Sequence, residues 1–241
     1  MAANYQALGT AQGSAGSITT LAWPTHLTDD LGLLFVETSN QTPGGTWPPT
    51  GWTLITSIPA STTNTVLYVL WQRATSSAMG NVTITDSGDH QYAVIMTIRG
   101  AAKTGDPIHT YLNEAFSATT APQFSGSCTI NNNDGTLNTS DFLYILAASW
   151  DLDNAGPLFS NWIDYFSVGL QARADAGTTQ GNGGGIGIAT KTATNATFIN
   201  GYPPFVTISS TADCAAWAII IQPEPPALSS SGKKSAVASS C

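Results

Sequence analysis

The chain has 241 residues, of which 9% are charged, against about 25% in ordinary globular domains. Its 23 Gly and 13 Pro exclude a helical bundle or coiled coil, because both residues interrupt helix interiors. The formal charge is −8, and the basic residues are scattered apart from Lys233-Lys234, so nucleic acid and anionic membranes, which need clustered cations, are not expected partners.

Short runs of β-branched and aromatic residues, separated by Gly, Pro, Asn, Asp and Ser, point to strands throughout. In chain order they fall at 18–21, 31–38, 53–58, 65–73, 82–85 and 91–99, then at 129–130, 141–148, 165–172, 186–194, 206–209 and 215–222. Alternation is clear in Val66-Leu67-Tyr68-Val69-Leu70-Trp71, whereas Ile219-Ile220-Ile221 is continuous and reads as a strand buried on both faces. Connections such as Asp86-Ser87-Gly88-Asp89 favour antiparallel hairpins. The expectation is an all-β, jelly-roll-like antiparallel β-sandwich of twelve strands over residues 1–222. No apolar run reaches the ~20 residues of a bilayer span. The start, Met1-Ala2-Ala3-Asn4-Tyr5, does not read as a secretory signal, so synthesis in a cytoplasm is expected.

The two halves echo each other. Asp30-Leu31-Gly32-Leu33-Leu34-Phe35 opens the first and Asp141-Phe142-Leu143-Tyr144-Ile145-Leu146 the second. Without a gap, Val82-Thr83-Ile84 leading to Asp89 and Ala93-Val94-Ile95 matches Val206-Thr207-Ile208 leading to Asp213 and Trp217-Ala218-Ile219. Two arrangements follow: related half-sandwiches at about 18–101 and 129–222, or one pseudo-symmetric sandwich in which each half gives strands to both sheets. After Pro223-Glu224-Pro225-Pro226 the segment 223–241 is Ser-rich and expected to order only on a partner.

Chemistry-bearing patterns are few. Cys128, Cys214 and Cys241 are too far apart for a CxxC metal site and read as free thiols. His26, His90 and His109 have no serine elbow beside them, and the carboxylates do not pair in sequence, so no catalytic residue, cofactor or metal is assigned. Asp151-Leu152-Asp153-Asn154-Ala155-Gly156 has the opening of a calcium loop but lacks its closing Glu, and reads as Asx turns. Gly181-Asn182-Gly183-Gly184-Gly185 lacks a phosphate-loop ending and reads as a flexible loop entering a strand. Trp47, Trp52, Trp150 and Trp162 fall in or beside loops, where an exposed ring could bind, and Trp47, Trp150 and Trp162 are the candidate glycan-stacking or interface aromatics, whereas Trp71 and Trp217 belong to a core.

The set Pro49-Thr50-Gly51-Trp52-Thr53-Leu54, Leu67 to Ala74, Val82-Thr83-Ile84 and Ile98-Arg99-Gly100-Ala101 resembles a family of tailed-bacteriophage β-sandwich proteins. These serve as virion components: capsid decoration, or tail and fibre parts. The resemblance implies a non-enzymatic virion protein, made in the host cytoplasm and acting through contacts with capsid or tail proteins, with a homotrimer favoured. It makes Gly51, Trp52 and Arg73 fold-defining, Trp52 packing on the sandwich edge and Arg73 reaching an acceptor. The alternatives are a carbohydrate-binding adhesin or receptor-binding module, expected to expose Trp47, Trp150 and Trp162 on one face, and a glycan-cleaving enzyme with two facing carboxylates.

Overall fold

A computed structural model describes residues 2–61, 64–104, 106–122, 142–163, 169–193 and 205–224. The expected strand at 129–130, Cys128, Cys241 and the tail beyond Glu224 lie outside them. Among the described residues fifteen strands form: β1 (Asn4–Leu8), β2 (Gln12–Ser14), β3 (Ile18–Leu21), β4 (Leu31–Thr38), β5 (Thr53–Pro59), β6 (Val66–Arg73), β7 (Val82–Ile84), β8 (Gln91–Arg99) and β9 (Ile108–Thr119). They continue as β10 (Phe142–Trp150), β11 (Phe159–Ile163), β12 (Gln171–Thr178), β13 (Gly184–Ala193), β14 (Phe205–Ile208) and β15 (Ala212–Ile221). The fold is all-β, and every strand pair is antiparallel.

The first half makes one sheet, ordered β1-β8-β4-β6-β5 with β2 beside β8; the second makes another, ordered β12-β13-β10-β15-β9. Apart from β1 and β2, which precede the first expected half, and β9, which falls between the two, each sheet is drawn from one half, so among the described residues no strand of one half sits in the other half's sheet. Matching β1 with β9, β8 with β15, β4 with β10, β6 with β13 and β5 with β12 gives the same lateral order twice. The ungapped alignment of 82–84 with 206–208 carries β7 onto β14, and each leads into a central strand.

Period-2 alternation sends neighbouring residues of each central strand to different cores. Leu31, Leu33 and Phe35 of β4, Val94 and Met96 of β8, Leu143 and Ile145 of β10, and Trp217 and Ile219 of β15 meet between the sheets. The intervening Leu34 and Val36 face outward under a ribbon of β3 and β7, in a core with Trp23 and Trp52. On the far side Tyr144, Leu146 and Trp150 pack beneath the β11–β14 ribbon with Phe159 and Trp162. Both faces of β4, β10 and β15 are therefore buried, which explains their nearly continuous apolar sequences.

The glycine-rich run turns at 181–183 and then enters a strand. From Gly184 onward it is strand β13, paired with both β10 and β12. Gly185 lies opposite Trp150, and a Cβ on Gly185 would collide with the Trp150 indole; one on Gly187 would collide with Phe159 and come within 2.7 Å of Trp162. Aromatic rings thus occupy the space that side chains on these two residues would fill.

A polar clasp closes one end of the first sheet. Arg99 donates to both carboxylate oxygens of Asp30, at 3.0 and 2.7 Å. Arg73 donates to the Asp29 carbonyl at 2.8 Å and the Ala102 carbonyl at 2.6 Å. The end of β15 is tied in as well: the Ala102 N–H donates to the Gln222 carbonyl and the Glu224 N–H to the Gly100 carbonyl. Burial lowers the Arg73 pKa below its ordinary value, opposed by the charges of Asp29, Glu224 and Asp30. Arg73→Met, which keeps the stem but removes two charge-assisted bonds, should lower stability by about 1.5–3 kcal/mol, read from urea unfolding.

Candidate functional site

At the opposite end of β4 the inter-sheet interior turns polar. Alternation places Glu37 of β4 in line with Leu33 and Phe35, and Ser149 of β10 in line with Ile145 and Ala147. Thr65 and His90, just before β6 and β8, complete the group. Glu37 is fully buried and His90 is 1% exposed. Glu37 Oε1 accepts the Thr65 hydroxyl at 3.0 Å and lies 3.2 Å from His90 Nε2; the Thr65 hydroxyl also lies 3.1 Å from Ser149 Oγ. Asp89 Oδ2 stands 3.4 Å from His90 Nδ1. Glu37 Oε2 and His90 Nδ1 have no hydrogen-bond partner.

Burial pushes the Glu37 carboxyl up to about 7, against the opposing bond and charge of His90. Burial opposes the His90 cation, but the bond and charge of Glu37, backed by Asp89, outweigh it and raise the His90 pKa. Gly184 shuts the pair in, since a Cβ there would lie 2.5 Å from His90 Nε2 and 2.6 Å from Glu37 Oε2. A cavity of about 220 Å³ beside it is lined by His90, Asp151, Asn64, Ser39, Asn182 and Gly183. Glu37 does not line that cavity. The pair can hold and pass a proton. Ser149 bonds Thr65 rather than His90, so no activated hydroxyl is formed there.

Several other titratable groups are engaged structurally. Asp151 Oδ1 accepts the Asp213 N–H at 2.9 Å, and Asn64 donates to Asp213 Oδ2 at 2.7 Å. Burial, with the Asp213 charge, raises the Asp151 pKa. Asp153 is exposed, and among the described residues no group of three His, Cys, Asp or Glu could hold a metal. The His26 ring accepts the Met79 N–H at Nε2, 3.2 Å, which leaves Nδ1 to donate to the Pro24 carbonyl at 2.6 Å. Burial strongly raises the pKa of the Cys214 thiol, aided by Asp151 and Asp213.

The three aromatics proposed as a platform do not form one. Trp150 is 0% and Trp162 5% exposed, both packed against Phe159 in the core under the β11–β14 ribbon. The loop-like polar residues around them conceal apolar packing positions: Leu158, Phe159 and Trp162 pack in one core with β10. Trp47 is half-buried on the opposite outer face, edge-on to Tyr68 at 5.2 Å. Gly51 turns at φ +85°, a conformation that excludes most side chains, and a Cβ there would strike the Gln72 amide. That turn drops Trp52 into the outer core of the first sheet, 5.3 Å from Trp23.

Trp23 and Trp52 also floor an open cleft of about 490 Å³ on that outer face. Its walls carry Thr46 and Thr50 from the β4–β5 connection, Gln72 from β6, and Asn81, Thr83 and Thr85 around β7. No charged residue lines it. Neither this cleft nor the Glu37–His90 pair was found from sequence. For Glu37 a signal existed, a carboxylate in phase with the inward-facing residues of an apolar strand. Compared with family models, curated proteins and solved structures, the chain matches none.

Proposed function

We propose that the chain is a bacteriophage virion structural protein that attaches to the particle surface, as decoration or as a tail or fibre part, through protein–protein contacts. The observation that carries this reading is where the motif residues go. Gly51 and Trp52 set a turn into a core, Arg73 and Arg99 close the clasp, and Ala101 bridges to Pro223. All of them help to hold the sandwich together. The Glu37–His90 pair is enclosed and serves the interior in the same way. A surface with few Lys and many Thr, Ser, Asn and Gly loses little side-chain entropy on docking. The expected assembly is a homotrimer, or repeated copies on capsid or tail proteins. Sedimentation velocity of the purified chain should show an oligomer, and mixing it with phage particles grown without it should remove it from solution. A monomer left in solution by those particles would overturn the reading.

A further inference from the structure

We infer that the cleft over Trp23 and Trp52 is a binding site for a neutral saccharide. At about 490 Å³ it falls within the ~300–1,000 Å³ typical of small-molecule sites. Two largely buried indoles, Trp23 at 9% and Trp52 at 7% exposed, open small patches onto its floor. Its walls are hydroxyls and amides. The side chains of Gln72 and Asn81, and those of the four threonines around them, make no hydrogen bond within the protein among the described residues. A concave site that pairs indole surface with six uncommitted polar side chains suits a ligand with apolar ring faces and a rim of hydroxyls.

Charge narrows the class. No Lys, Arg or His lines the cleft, so a phosphate, sulfate or carboxylate would enter without a counter-charge. A purely apolar ligand would strip water from the Gln72 and Asn81 amides and return no bond. The cleft is also built rather than incidental: Gly51 turns at positive φ and leaves room for the Gln72 amide that a Cβ would displace. Gly80 lines the opening and has nothing within 4 Å of where its Cβ would stand. The inference is independent of the virion reading, and either can fail alone.

An array of neutral oligosaccharides terminating in glucose, galactose, mannose or N-acetylglucosamine, with sialylated and sulfated members as comparison, tests it. Hits are followed by titration with Trp fluorescence as the readout. The native chain should bind at least one neutral member. Gly80→Phe, which adds a ring at a residue lining the opening, should weaken it on the order of tenfold or more, with an unchanged melting temperature. Gln72→Leu, which keeps the packing on Gly51 and removes the amide, should weaken the same sugar should Gly80→Phe not fold. Absence of neutral hits, binding confined to anionic glycans, or full affinity in the folded variants would each overturn the proposal.

Discussion

Raising the pH from 5 to 8 should cost the protein stability, and Glu37→Gln should remove most of that loss. The sign follows from proton uptake. Glu37 titrates at 4.5 when free and at about 7 when folded, so over that window the folded chain holds a proton that the unfolded chain has released. A raised pKa contributes stability that is complete below the unfolded value and gone above the folded one. The shift corresponds to about 3 kcal/mol, a large part of a typical total of roughly 5–15 kcal/mol. His90 acts in the same direction from 6.5 upward, and Asp151 and Asp175, also raised by burial, from 3.8 upward. Asp29, lowered by its bond to Lys103, has the opposite sign, but its contribution is lost only as pH falls below the ordinary carboxylate range. Urea midpoints for the native chain should therefore fall between pH 5 and 8. In Glu37→Gln the amide can still face Thr65 and His90, no buried charge forms, and the profile should flatten. A native profile that rises over this range would refute the burial argument.

Gly185→Ala and Gly187→Ala should each lower stability by about 1–3 kcal/mol, the range for overpacking a filled core. Two effects compete. Replacing Gly by Ala restricts the unfolded chain and stabilises by about 0.4–1 kcal/mol where the site can accept it. These sites cannot. The obstructing atoms belong to Trp150, Phe159 and Trp162, rings already fixed between β10 and the β11–β14 ribbon, and at Gly185 the Ala176 carbonyl is also within 2.7 Å. Gly80→Ala, facing open space, is the internal control and should be neutral or slightly stabilising. Equal midpoints for all three variants would mean that the rings can move aside.

The central strands were legible because their residues are apolar on both faces, and the expected limits at 31–38 and 91–99 coincide with β4 and β8. The strands that escaped are edge strands and ribbon strands. Asn4–Leu8 and Gln171–Thr178 are polar or small and lie at sheet edges, as does Ile108–Thr119, and their pairing comes from the neighbouring backbone. A strand expected over 165–172 instead begins at Gln171, and residues 165–168 lie outside those described. Sequence places Trp162 in or beside a loop, whereas in the fold Phe159 and Trp162 are the inward pair of β11, with Ser160 and Asn161 exposed between them. The Glu37–His90 pair joins residues 53 positions apart on neighbouring strands. Composition carries no trace of that adjacency, and only the register of β4 with β8 creates it.

Each half repeats the same lateral order and packs an apolar core on its outward side, and beside the first of these cores a cleft opens over Trp23 and Trp52. In the second, Phe159 and Trp162 fill the equivalent layer. Because successive residues of a strand point opposite ways, the duties are divided residue by residue: alternate positions weld the duplicated units together, and their neighbours are released from that task. One unit can then be remodelled on its outside, acquiring or losing recognition, while the weld and its twin stay as they were.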